Sequence, residues 1–243
     1  MAWLQALPLS EWVQTSDYGF PLLLAAHSIG LAGVGGNGQA ELVETLIGIR
    51  KASSGAILFD GQDVPESPEE RREWGLRFIP ADRMGMGLFG DLSLNINIAL
   101  PRLLGKKAEK RWFVRKPWMT GLSLSAIGEF EIAGAAPETP ARLLSGGNAQ
   151  KLMLAREFGT EFSILIAHSP TRGLDIRAVQ AVQSRLRNAT EQNVAVLLIS
   201  EDLDEIMELS NRVAVMSHGR LSEAEPIAEV DRGKVGRLML EMA

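Results

Sequence analysis

Short apolar runs alternate with amphipathic or polar segments along most of this chain. The apolar runs are typical of buried strands, and they predict strands at 20–26, 28–32, 56–60, 76–79, 163–167, 194–200 and 213–216. Apolar residues at helical spacing predict helices at 40–49 and 147–158. A polar helix is predicted at 66–74, with Ser67 as its N-cap and Pro68 at its first position. This alternation predicts an α/β fold with a mostly parallel sheet flanked by helices.

Composition narrows the class of protein. The chain has 243 residues, which fits one large domain, and a net charge of −5, which gives no general attraction to nucleic acid or anionic lipid. It contains no cysteine, so disulfides and thiolate metal sites are excluded. No apolar run approaches the roughly 20 residues that a membrane-spanning helix needs. No basic segment precedes the run at 20–26, which therefore indicates a buried strand rather than a signal peptide.

A glycine-rich loop lies between the strand predicted at 28–32 and the helix predicted at 40–49. Its residues are Gly33, Val34, Gly35, Gly36, Asn37, Gly38, Gln39 and Ala40. The spacing is that of a phosphate-binding loop, whose backbone N–H groups attract anions at a helix N-terminus. Such a loop uses a Lys to reach the phosphates and a Ser or Thr to hold Mg²⁺, whereas this chain has Gln39 and Ala40 there. The strand–loop–helix context favours a phosphate cradle; the alternative is a glycine-rich turn without a ligand.

A second glycine motif begins about a hundred residues later. Its residues are Leu144, Ser145, Gly146, Gly147 and Asn148, at the start of the helix predicted at 147–158. The Ser145 hydroxyl and the amides of Gly146 and Gly147 can meet a phosphate at such a helix N-terminus. The alternative is a plain serine N-cap followed by glycines in a turn.

Together the two glycine motifs resemble the nucleotide-binding domain of an ABC transporter. The matching stretches, in the order found in that family, are 29–39, 78–100, 137–157, 164–175 and 196–219. The resemblance covers nearly the whole chain from about Leu31 onward. It is closest to the second ATPase half of importers for simple sugars and nucleosides, a branch in which the two halves are usually fused.

The resemblance implies a domain plan. It predicts a single ABC ATP-binding domain over 1–243, with a P-loop-type core at about 1–90 and 160–243. A helical subdomain is inserted at about 91–159. An N-terminal antiparallel β part would carry an aromatic residue that stacks on adenine. Tyr18 and Trp12 are both candidates, and the alternative is an ordinary aromatic of the core or of a turn.

Five positions depart from the chemistry of active family members. There the strand at 163–167 ends in an Asp that holds Mg²⁺ and a Glu that polarises the attacking water, but this chain has His168 and Ser169. Imidazole is a poor Mg²⁺ ligand, and a serine hydroxyl is no general base at neutral pH. Glu201 stands where the family has a His that contacts the γ-phosphate. With Gln39 and Ala40, these changes imply that the chain has no catalytic residue and no metal site of its own.

The positions that would act on a partner are intact. ABC domains pair head to tail, and each ATP lies between the glycine loop of one and the serine–glycine motif of the other. The resemblance therefore implies that this chain completes the site of a second, intact ATP-binding domain. It would bind ATP weakly or through that site, and would meet Mg²⁺ only there. The partner-facing residues are Leu144, Ser145, Gly146, Gly147, Asn148 and Asp175.

Transmembrane permease subunits are the other partner that the resemblance implies. They would place the chain in the cytoplasm, peripheral to the inner face of the cell membrane, without inserting into it. A basic and aromatic cluster within 101–142 can be interpreted in this light; its members are Lys106, Lys107, Lys110, Arg111, Trp112, Phe113, Arg115, Lys116 and Trp118. Alone, the cluster is typical of nucleic-acid binding, but the acidic total predicts no nucleic-acid partner. A contact with the permease and a solvated charged face both stay open.

Three hypotheses follow for the function. The leading one is the degenerate ATPase half of an ABC importer for a simple sugar or nucleoside. The second is a pseudo-ATPase that serves interaction or regulation outside transport. The third is an ATPase with unconventional chemistry, which would turn over on its own and lose activity when Ser145, but not His168, is altered.

Overall fold

The computed structural model of the chain describes residues 28–53, 55–59, 62–103 and 116–241. Several predictions fall elsewhere in the chain. The strand at 20–26, the adenine-stacking candidates Trp12 and Tyr18, and all of the basic cluster except Lys116 and Trp118 lie outside the described residues.

The described residues form two compact units. The first contains the residues up to Leu76, Ser163–His168 and the chain from Arg185 on. The second contains Arg77–Phe162 and Ser169–Ser184.

Strands and helices alternate through the described chain as the hydrophobic pattern predicts. The strands are β1 (Ser28–Ala32), β2 (Leu58–Phe59), β3 (Gln62–Asp63), β4 (Leu76–Ile79), β5 (Ile164–His168), β6 (Ala195–Ser200), β7 (Arg212–Ser217), β8 (Arg220–Leu221) and β9 (Glu225–Pro226). The α-helices are α1 (Gln39–Ile47), α2 (Pro68–Glu73), α3 (Leu94–Leu103), α4 (Lys116–Glu129), α5 (Gly146–Phe158), α6 (Ile176–Glu191), α7 (Leu203–Leu209) and α8 (Arg232–Glu241). A π-helical turn spans Arg83–Gly87, and 3₁₀ turns span Ala141–Leu143 and Ile227–Glu229.

A mostly parallel sheet forms the centre of the first unit. Its strands lie in the order β5-β6-β1-β7-β8, and β9 also pairs with β7. β5, β6, β1 and β7 run parallel, whereas β8 and β9 run antiparallel to β7. Every residue of β1 and β6 is buried, as expected for central parallel strands covered on both faces. The predicted α/β fold is thus confirmed, and β2 and β3 add an antiparallel pair.

Element boundaries differ from the predictions where local capping decides them. α1 ends at Ile47 rather than at 49, because Gly48 adopts φ 88° and its N–H turns back to the carbonyls of Glu44 and Thr45. α5 begins at Gly146, one residue before the predicted start. Of the strand predicted at 56–60, Leu58 and Phe59 form β2, whereas Ala56 and Ile57 lie outside it. Ser67 and Pro68 have the predicted N-cap and first-turn positions of α2.

Helices α3, α4 and α5 form the core of the second unit. Leu94 of α3 and Leu152 of α5 are fully buried there. Asn97 is also fully buried, and its side-chain amide donates to the carbonyls of Phe89 and Leu92 at 3.1 Å each. These bonds fix the segment that leads into α3. Among the described helices, none is long and apolar enough to cross a membrane.

Candidate functional site

The glycine loop of the first unit joins β1 to α1 through two residues in the left-handed region. Gly36 has φ 88° and Gly38, the N-cap of α1, has φ 108°. Residues other than glycine rarely adopt these φ values. The Gly38 carbonyl accepts the first helical hydrogen bond, from Leu42 N at 3.0 Å. The loop therefore delivers its backbone N–H groups to a helix N-terminus, the arrangement that holds phosphate.

Gln39 turns inward and bonds to the loop itself. Its side chain is buried, its Nε2 donates to Val34 O at 3.0 Å, and its Oε1 accepts from Asn37 N at 3.1 Å. The side chain at the position of the phosphate-binding Lys thus uses one of the loop amides. Ala40, the next residue, is exposed and has no group that could ligate a metal.

Asn37 ties the loop to the turn between β7 and β8. Its Nδ2 donates to Val34 O at 2.9 Å, and its Oδ1 accepts from His218 N at 3.0 Å. The Asn37 carbonyl accepts from Gly219 N at 2.9 Å. His218 and Gly219 both have positive φ, 49° and 73°. The sequence does not mark these bonds, because 181 residues separate Asn37 from His218.

Glu201 follows β6 and lies beside the loop. A Cβ built on Gly35 would lie 2.6 Å from Glu201 Oε1, so only glycine fits at that point without a shift of the carboxylate. The Glu201 side chain is exposed. A carboxylate at the rim of a phosphate cradle opposes an anionic ligand by simple Coulomb repulsion.

His168 ends β5, where it pairs in register with Ile199 of β6. It is partly exposed, and the following Ser169 has φ 48°, which is uncommon for a residue with a side chain. The pair thus offers an imidazole and a hydroxyl where the resemblance predicts two carboxylates. Within the described part of the chain, no group of three or more His, Asp or Glu side chains could hold a metal ion.

Ser145 of the second unit is an exposed N-cap. Its Oγ accepts from Asn148 N at 3.4 Å and from Asn148 Nδ2 at 3.1 Å. Asn148 is held in turn by Ala133, since its Oδ1 accepts from Ala133 N and its Nδ2 donates to Ala133 O, both at 3.0 Å. Leu144 precedes this cap, and Gly146 and Gly147 form the first turn of α5. The serine hydroxyl is therefore fixed in place and open to solvent.

The loop that contains Asp175 is bound to α5. Gln150 is buried, and its Nε2 donates to Pro170 O at 2.7 Å. Asp175 Oδ1 accepts from Ala178 N at 3.0 Å. This hydrogen bond is the main cause that lowers the pKa of the Asp175 carboxyl, and the charge of Lys151 acts in the same direction.

Arg83 links two of these segments, and sequence reasoning gave it no role. Its Nη1 donates to Gly146 O at 2.5 Å, and its Nη2 donates to Arg172 O at 3.0 Å. The partners lie 63 and 89 residues away, so no local pattern marks the contact. The structure thus brings the residues of the second glycine motif, Arg83 and the 169–175 loop together in one unit. The cradle residues, His168 and Glu201 belong to the other unit.

Comparison with known proteins indicates the ABC transporter family. The model of the ABC transporter family matches residues 23–172. The guanosine import ATP-binding protein NupO of Bacillus subtilis is 38% identical over 216 residues, which make up 88% of this chain and 42% of that protein. The glucose import ATP-binding protein TsgD13 of Haloferax volcanii is 35% identical over 211 residues, 86% of this chain and 38% of that protein. The chain thus spans about two fifths of the length of these relatives.

A solved structure has the same fold. The dimeric post-hydrolysis state of the ATP-binding cassette MJ0796, bound to ADP and Pi, matches with a TM-score of 0.72 at 17% sequence identity. The match covers 86% of this chain and 89% of that one.

Proposed function

Since the chain belongs to the ABC transporter family, we propose that it is a nucleotide-binding subunit of an importer for a simple sugar or nucleoside. The names of its relatives support this assignment, because they are import ATP-binding proteins for guanosine and glucose. Within that family we propose that it is a degenerate subunit. It would complete the ATP site of a partner and would not hydrolyse ATP at its own glycine loop.

One contrast between two sites carries this proposal. In the glycine cradle, the polar side chain of Gln39 bonds to the loop itself, and the Glu201 carboxylate stands at the rim. In the second unit, Ser145 is exposed and braced through Asn148. The first arrangement disfavours phosphate, and the second presents a hydroxyl and a helix N-terminus to it.

The partner is a second, intact ATP-binding domain. In the head-to-tail pairing of the family, ATP would lie between the glycine loop of that partner and Ser145 of this chain. Mg²⁺ would be held by residues of the partner alone. The dimeric state of the MJ0796 cassette is consistent with such a pairing.

The replaced groups are those that phosphoryl transfer depends on. Catalysis of this reaction consists mainly of positioning and electrostatic stabilisation, and loss of one stabilising group in an enzyme costs roughly 10²–10³-fold in rate. Gln39, Ala40, His168, Ser169 and Glu201 replace the phosphate-binding cation, the Mg²⁺ ligands, the base and the γ-phosphate contact that active family members use.

Nucleotide binding by the isolated chain tests the state of the cradle. We expect weak ATP binding that Mg²⁺ changes little, because the loop amides remain while Ala40 cannot ligate the ion. A Gln39→Lys/Ala40→Ser variant should bind ATP about tenfold or more tightly and should require Mg²⁺, since charge-assisted hydrogen bonds are the strong ones. Calorimetry with and without Mg²⁺ measures both effects.

Gln39→Met is the matched control for that variant. It removes the same amide without adding a charge, so no gain in affinity is expected. Tight, strictly Mg²⁺-dependent binding by the unaltered chain would contradict the degenerate assignment.

An exposed apolar surface in the second unit supports contact with a permease. We call it the Met84–Leu143 patch; its members are Met84, Met86, Phe89, Leu92 and Leu143, which are 37–63% exposed. Gly90 lies within this patch, where a Cβ built on it would lie 3.3 Å from Met84 Cε. The Gly90 carbonyl accepts a hydrogen bond from Arg142 N. Four of these side chains recur within the short segment 84–92; such grouping of exposed apolar residues marks an interaction surface, and methionine adapts readily to a partner. Bound there, the chain would work peripherally at the cytoplasmic face of the membrane.

Co-purification with the permease tests this contact. The double variant Met86→Asp/Phe89→Asp is expected to reduce recovery with the permease about tenfold or more, because unpaired carboxylates would be buried on docking. Ile49→Asp is the control, since Ile49 is 61% exposed but belongs to the other unit. Failure of the unaltered chain to associate with any permease would favour a pseudo-ATPase that acts outside transport.

A further inference from the structure

Arg83 stands at the start of a short turn that is fixed at both ends. The turn is the π-helical segment Arg83–Gly87. Asp82 caps it, because Asp82 Oδ1 accepts from Gly85 N at 2.8 Å and from Met84 N at 3.2 Å. At the other end Gly87 is packed so closely that a Cβ there would lie 2.6 Å from Met153 Sδ of α5. The backbone that carries Arg83 is therefore held against the helix that Ser145 caps.

The guanidinium group bridges two separate pieces of backbone. One bond goes to the Gly146 carbonyl in the first turn of α5, directly after Ser145, and the other goes to the Arg172 carbonyl in the 169–175 loop. A planar group with a fixed fork of donors can make both bonds at once. A lysine ammonium is a compact group on a flexible stem, and it cannot reproduce that geometry.

The bridge lies beside a close approach of α5 and the 169–175 loop. Gly173 has φ 72°, and a Cβ on it would lie 3.3 Å from Arg83 Nη2. A Cβ on Gly147 would lie 4.0 Å from Gly173 O. The same loop and helix are also joined in the interior by Gln150 Nε2 and Pro170 O. Arg83 thus joins the helix and the loop at the exposed edge of their contact, while the bond from Gln150 to Pro170 joins them in the interior.

Both carbonyls are neutral acceptors, so the bridge does not neutralise the arginine. Within the residues that the structure describes, Arg83 forms no ion pair with a carboxylate. The guanidinium group holds the two backbone segments through the directions of its N–H donors, and its positive charge remains beside the N-terminus of α5.

We propose that Arg83 is a positioning residue that holds the Ser145 cap and the 169–175 loop at one fixed spacing, so that both meet the partner's nucleotide together. This inference rests on the proposed function, in which those two segments complete the partner's ATP site. In this role Arg83 acts through its bonds to Gly146 and Arg172 and not on the nucleotide itself.

The test uses the complex of this chain with an intact ATP-binding partner and the permease. Arg83→Lys and Arg83→Gln should each lower kcat for ATP hydrolysis about tenfold or more. The KM for ATP should change little, because the partner's cradle holds the nucleotide. Lysine, the conservative replacement, should not restore the rate, because an ammonium group lacks the planar set of donors that bridges the two carbonyls.

Arg232→Gln is the matched control. Arg232 is an exposed arginine of the first unit that pairs with Asp204 at 2.5 Å, and its loss should leave kcat unchanged. The thermal unfolding midpoint of each variant chain should stay near that of the unaltered chain, because Gln150 and the core are untouched.

The outcomes separate this inference from the proposed function. Full activity in Arg83→Lys with loss in Arg83→Gln would overturn the positioning role, because charge alone would then suffice. Unchanged kcat in both variants, with Ser145→Arg inactive in the same complex, would overturn it too and leave the proposed function standing. If Ser145→Arg is also fully active, the proposed function itself fails.

Discussion

Ser145→Arg is expected to abolish ATP hydrolysis by the complex of this chain with an intact ATP-binding partner and the permease. Ser145 is exposed and braced by Asn148, so a bulky cation there would block closure on the partner's nucleotide and misplace charge beside the γ-phosphate. We expect a loss of about 10²-fold or more, the scale seen when a stabilising donor is removed from an active site. Steady-state phosphate release by the complex measures it.

Two further variants make this result specific. Ser145→Asp keeps a good N-cap residue but sets a carboxylate against the phosphate, so it should also be inactive; this separates the role toward ATP from the capping of α5. Gln39→Ala should barely change the complex, because Gln39 bonds only within its own loop. The reverse pattern, with Ser145→Arg harmless and Gln39→Ala damaging, would return the chemistry to the chain's own cradle.

The isolated chain is expected to show no ATP hydrolysis above background. Gln39 and Ala40 supply neither a positive charge that binds phosphate nor a metal ligand. His168 and Ser169 replace the carboxylates that would hold Mg²⁺ and activate water. A phosphate-release assay with Mg²⁺ over a range of protein concentrations measures any turnover. A rate near 1 s⁻¹, within the usual range of enzymes, would contradict this expectation.

If turnover is found, two variants identify its source. Activity that survives His168→Ala but is lost in Ser145→Arg would support the third hypothesis, an ATPase with unconventional chemistry. Activity that both variants leave intact would indicate a contaminating enzyme.

The parallel core was predictable because its signal is local. β1 and β6 are continuous apolar runs, and they are buried along their whole length. The end of α1 was less predictable, since it depends on Gly48 adopting a left-handed conformation rather than continuing the helix. The short pair β2–β3 lacks a long apolar run, which is why the strand predicted to begin at 56 begins at Leu58.

The candidate site was predictable in its residues but not in its contacts. Spacing alone singled out the glycine loop and the motif at Ser145, because turns and helix caps are short-range features. It could not show that Gln39 folds back on Val34, or that Asn37 reaches the turn at His218. Arg83 passed unnoticed for the same reason, since its role depends on two backbone carbonyls and not on any sequence pattern.

The inward turn of Gln39 also bears on how the subunit depends on its surroundings. Gln39 already occupies the Asn37 amide and the Val34 carbonyl, so this loop gains less when a phosphate arrives than a loop whose amides are all open. A ligand stabilises a folded protein appreciably only when its concentration exceeds its dissociation constant, so weak binding contributes little. If the proposed function holds, the folded state of this chain is therefore expected to depend little on the supply of nucleotide.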